Sequence, residues 1–118
     1  AQHWYQKTSA ALAARNWNDF VYSAGVLSHY YSDPWQPFHT GQSDTEGVIH
    51  RAAEWSIACG YLELQLILEQ DFGGYPDVAI PAGDDWLAEM IQEAALTAHE
   101  YYQPSIAHYN FAVGKKDP

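Results

Sequence analysis

The chain has 118 residues, 47% of them hydrophobic, which suffices for one core and a single domain spanning 1–118. Fifteen acids against five Lys plus Arg give a net charge of −10, the wrong sign for a nucleic-acid or anionic-membrane footprint. One cysteine excludes an internal disulfide framework, and no apolar run is long enough to span a membrane.

Taken in chain order, the pattern predicts an all-α bundle of about four helices. Residues 2–14 have high helix propensity, with Asn16 closing the segment. Asn18 or Asp19 is placed to cap a second helix through Ser32, whose apolar stripe is Phe20, Val21, Ala24, Leu27 and Tyr31. Asp33-Pro34 ends that helix, because a residue before proline is pushed out of the α region. A loop over 34–46 follows, and Thr45 is the expected cap of a third helix running to about Gln70. Cys59 falls within its apolar part, where an inert buried thiol is expected, and Trp55 is expected in the core.

Residues 71–83 hold three glycines and two prolines and read as a loop. Asp84 or Asp85 then caps a last helix over 86–102, with Pro104 marking a break and a short continuation to Phe111. Residues 114–118 read as a frayed tail. The chain starts at Ala1 without Met, which suggests a processed product or the C-terminal part of a larger domain.

The chemistry concentrates between His29 and Glu54. His29/Asp33 and His50/Glu54 each stand four residues apart, and on a helix that spacing puts both side chains on one face. Imidazole with carboxylate suits zinc. His39, His50 and Glu54 make a three-ligand set that leaves a coordination position open, and His29 with Asp33 provides half of a second site. Pro34 and Pro37 stiffen the turn that returns His39 towards the helices. A ferritin-like di-iron bundle is disfavoured, since no histidine has a Glu three residues before it.

Other residues carry weaker signals. Asp44 and Glu46, in the loop between ligands, are the candidate catalytic bases, although loop acids are usually only solvated. Trp35, Phe38, Tyr30 and Tyr31 flank the ligands as an aromatic wall for a cation or as interhelical packing. His99, Tyr101, Tyr102, His108 and Tyr109 cluster near the C-terminus, where one histidine can complete the second site or support a ligand. Glu89 and Glu93 lack a histidine partner and read as a solvated face.

The run H-Y-Y-S-D-P-W-Q-P-F-H followed by H-R-A-A-E resembles the zinc-dependent phospholipase C and S1/P1 nuclease superfamily, over about residues 4–58. Its pattern is H-x3-D-x5-H, a loop, then H-x3-E in the phospholipases or H-x3-D in the nucleases. Glu54 puts this chain on the phospholipase side. The resemblance implies that His39, His50 and Glu54 bind one zinc, that His29 and Asp33 bind a second, and that Asp33 bridges to a third. It also implies an all-α fold, hydrolysis of a phospholipid or other phosphodiester, and an extracellular or periplasmic location. The family's remaining ligands lie upstream of its matching helix, so these residues supply one full zinc site and one partial site. A non-catalytic alternative also stands: one zinc staples the loop to two helices, and the 15% aromatic content serves a protein partner or a second copy of the chain.

Overall fold

The computed structural model describes residues 1–112, and the tail expected at 114–118 lies outside them. Among the described residues there are six α-helices and no strand. These are α1 (Gln2–Ala13), α2 (Trp17–Ser32), α3 (Asp44–Cys59), α4 (Tyr61–Asp71), α5 (Trp86–Glu100) and α6 (Tyr102–His108). Two short 3-10 helices, Asp33–Trp35 and Pro37–His39, join α2 to α3. The all-helical expectation holds, but four helices become six because two of the expected ones are broken.

The first hairpin is closed by its own backbone. Asn16 N–H donates to Ala11 O at 2.9 Å and Arg15 N–H to Leu12 O at 3.0 Å, the double bond of a Schellman ending. Arg15 takes the left-handed conformation there, with φ 54°. Asn16 caps the next helix, its side chain accepting from Asp19 N–H at 3.4 Å, so the cap falls earlier than Asn18 or Asp19.

The expected helix over 45–70 breaks at Gly60. Its N–H is shared between Ser56 O and Ile57 O, which ends α3 at Cys59, and α4 starts afresh at Tyr61. Glycine is among the poorest helix formers, and no residue of α4 is buried against another element to hold the two in register. The cap of α3 is Ser43 rather than Thr45, with Ser43 Oγ accepting from Glu46 N–H at 3.1 Å. In α5 and α6 the break falls at Tyr101, and Pro104 sits in the first turn of α6, where a missing N–H costs least. Asp85 precedes α5 without a side-chain capping bond.

Helix α5 is the spine. Leu87, Met90, Ala94 and Ala98 are buried along one face, and Ala94 has no exposed surface at all. Helix α5 packs against the segment 33–39 that carries His39. Phe38, Ile49 and Ala53 form a buried cluster, with Ile106 of α6 and Tyr109 just after it packed against it, and this seats α3 beside that segment.

Elsewhere the chain is open. Its radius of gyration is 16.9 Å, against roughly 13–14 Å for a globular domain of this length. No residue of helix α4 is fully buried, Leu62 being 74% exposed, and Trp55 lies outside the core at 47% exposure. Cys59 is a free, half-buried thiol. Tyr75, in the loop after α4, has its phenol held above the usual range by a hydrogen bond with Tyr61. Among the described residues, no helix is long and apolar enough to cross a membrane.

Candidate metal centre

Three elements meet at one point: the end of α2, the second 3-10 turn, and the middle of α3. The turn is built locally. Gln36 Oε1 accepts from Phe38 N–H at 3.0 Å, Thr40 Oγ1 donates to Pro37 O at 2.7 Å, and two prolines preset the backbone. Phe38 is buried and anchors the turn, which leaves its neighbour His39 facing α3.

His39 Nε2 lies 3.1 Å from His50 Nε2 and 3.4 Å from Glu54 Oε1, and His50 Nε2 lies 3.1 Å from the same Glu54 oxygen. These three residues form a group that can hold a metal ion. The spacing suits zinc. Ligand bonds of about 2.0–2.1 Å in a tetrahedron place neighbouring donors about 3.3–3.4 Å apart. Three donors on three edges of that size leave the fourth vertex open.

The other nitrogen of His50 is also engaged. His50 Nδ1 is hydrogen-bonded to Glu46 Oε1, and a neutral imidazole has only one N–H to give. With that proton committed to Glu46, Nε2 presents a lone pair to a carboxylate oxygen 3.1 Å away. Two acceptors this close need a donor or a cation between them, and the His39 Nε2 position, 3.1 Å from His50 Nε2 and 3.4 Å from Glu54 Oε1, can supply an N–H there when no metal is bound.

Asp33 stands beside the group, with one oxygen 3.2 Å from His29 Nδ1 and the other 3.4 Å from His39 Nδ1. All five expected ligands therefore fall along one connected chain of contacts: His29, Asp33, His39, then His50 with Glu54. His29 is its exposed end, with 66% of its side chain in solvent. A cleft of about 510 Å³, lined by Asp33, Phe38, His39, Thr40, Glu46 and His50, opens beside the group on the side of its two histidines.

The other candidates separate. Asp44 is exposed in the first turn of α3, whereas Glu46 is buried, with its carboxylate on His50. The aromatic wall does not assemble as one surface. Phe38 packs on the His50 ring, Tyr30 meets the His29 ring edge-on, Trp35 is exposed, and Tyr31 faces a separate apolar cavity with Tyr5 and Trp86.

His99 Nδ1 lies 3.1 Å from Thr40 Oγ1, and the His99 ring stacks on Tyr102, whose hydroxyl donates to Ser43 Oγ at 3.2 Å. These two residues brace the ligand-bearing loop from α5 and α6. Tyr101 and His108 are exposed, Tyr109 packs against the Phe38 cluster, and Glu89 and Glu93 face solvent.

Sequence reasoning missed the contact of Glu46 with His50. The signal was there: Glu46 precedes His50 by four residues, the same helical spacing as His50 and Glu54, but in the reverse order. Comparison with protein-family models, with curated proteins and with solved structures gives no match.

Proposed function

We propose that the protein is a zinc-dependent phosphodiester hydrolase of the phospholipase C type. The observation that carries this reading is the convergence of His39 Nε2, His50 Nε2 and Glu54 Oε1 at tetrahedral spacing, with an open cleft beside the two histidines. The order of the residues, H-x3-D-x5-H then H-x3-E, supports it independently through the family resemblance.

Bound zinc would supply a Lewis acid for phosphoryl oxygens and activate water at neutral pH. The chain's own residues hold and orient: His39 from the 3-10 turn, His50 and Glu54 from α3. His29 and Asp33 extend the ligand set towards a second, partial zinc site. The acidic surface disfavours polynucleotides, and Glu54 at the last ligand position puts the reading on the phospholipid side, with an S1/P1-like nuclease as the substrate variant. Extracellular or periplasmic location belongs to the same proposal.

The test is turnover by zinc-loaded protein, carrying any sequence upstream of Ala1. Substrates are phosphatidylcholine vesicles, single-stranded DNA and a chromogenic phosphodiester. Cleavage of the vesicles with release of a phosphorylated head group is expected. Failure on all three substrates, with zinc bound stoichiometrically, refutes the hydrolase.

A non-catalytic reading is favoured by one observation. Helix α3 touches the rest of the fold mainly through the Phe38, Ile49 and Ala53 cluster, so a metal shared by His39, His50 and Glu54 would staple it in place. In that case zinc removal unfolds the domain or releases a protein partner or second copy, while no substrate is turned over.

A further inference from the structure

Glu46 is a charge in the wrong place for an ordinary surface acid. It is 6% exposed, and its carboxylate accepts from His50 Nδ1. Burying a carboxylate is costly unless it is paired, so its partner matters to the fold and to the site. Glu46 is the third residue of α3, after the Ser43 cap. In a capping box a glutamate there turns back to the N–H of the cap residue. Here the carboxylate turns forward by one helical turn, onto the ring of a metal-ligand candidate. The positive end of the helix offsets part of its charge.

We propose that Glu46 is a positioning residue of the metal centre: it holds the Nδ1–H of His50 and so commits Nε2 of that ring to the cation. The inference rests on the metal-site reading above. Phe38 fixes the tilt of the His50 ring, with centroids 5.5 Å apart and planes at 33°. Glu46 fixes which nitrogen carries the proton. A carboxylate behind a ligand imidazole also makes the coordinating nitrogen more basic, which tightens its hold on a cation. His39 has no dedicated equivalent. Its Nδ1 faces Asp33 at a longer 3.4 Å, and that carboxylate is shared with His29. His50 is therefore the ring whose orientation depends on one dedicated acid.

The experiment compares the full chain with Glu46→Gln and Glu46→Leu, each checked for helical content by circular dichroism. Zinc affinity is measured by competition with a chromophoric chelator, and the imidazole nitrogens are read by 15N NMR with and without zinc. Glutamine keeps an acceptor for Nδ1–H but loses the charge, so its affinity should fall between the other two. Leucine removes both, and zinc should bind about ten- to a hundredfold more weakly. In the unsubstituted protein, His50 should carry its proton on Nδ1, and zinc should shift Nε2.

Undiminished affinity in a folded Glu46→Leu overturns the role of Glu46 and leaves the metal site standing. Coordination through Nδ1 in the unsubstituted protein overturns it too, and needs no variant to fold. Absence of zinc binding by the unsubstituted protein sinks the metal reading itself.

Discussion

Removing His39 tests whether the three donors act as one site. The His39 side chain is 28% exposed, and its two acidic neighbours, Asp33 and Glu54, are each 3.4 Å away. Contacts of that kind contribute about 0–1 kcal/mol, so without metal His39→Ala should change stability by no more than about 1 kcal/mol. With free zinc at a hundredfold excess over its dissociation constant, the unsubstituted protein should gain about 2.7 kcal/mol. For a chain of this length that is a rise in Tm of roughly 8–14 °C.

Losing one of three protein ligands weakens binding by at least about a hundredfold, on the scale of effects seen even for outer residues. At the same zinc concentration the variant should then gain no more than about 0.4 kcal/mol, or roughly 2 °C. Thermal unfolding of both proteins, each in chelator and in buffered zinc, gives all four numbers. His29→Ala serves as the control and should keep most of the zinc-dependent rise, since His29 lies outside the three-donor group. An equal rise in the His39→Ala and unsubstituted proteins would refute the site.

Acid should act through the same site. Zinc and protons compete for His39, His50 and Glu54, so the zinc-dependent rise in Tm should shrink as pH falls and vanish in acid, as a chelator titration at several pH values can follow. Gly41→Ala should destabilise by about 1–3 kcal/mol in thermal melts, because the new Cβ would sit 2.7 Å from Cζ of buried Tyr102 and force apart the brace on the ligand loop. Arg15→Gly should stabilise by up to about 1 kcal/mol in urea unfolding, since glycine adopts the left-handed ending of α1 without the steric cost that arginine bears. A loss of stability there would show that Arg15 contributes contacts beyond its backbone.

The helices were legible where propensity and proline acted locally. The α-helix does end at Ser32, although Asp33 is not pushed out of the α region as expected: it keeps φ −53° and ψ −45°, and the chain tightens into a 3-10 turn through Pro34. The glycines and prolines that follow Asp71, the last residue of α4, do keep 72–83 free of helix. The misses came where local signals compete. Ser43 and Thr45 are both competent caps, and only the geometry of the incoming loop chose Ser43. Gly60 could have been carried inside a long helix had another element packed across it; with no residue of α4 fully buried, the backbone turned there.

The sequence by itself determined the helical class and the ligand pairs one helical turn apart, because both depend on a periodicity of 3.6 residues that operates within a single segment. It could not determine that His39 meets His50 and Glu54, for that contact joins a turn to a helix across a loop. Tertiary packing decided it: α5 packs against the 3-10 segment, Phe38 packs with Ile49 and Ala53, and the ring of His39 is left facing α3. The same packing buried Glu46 and turned an expected loop acid into the partner of a ligand, because a carboxylate removed from water must find a donor and the nearest one is His50.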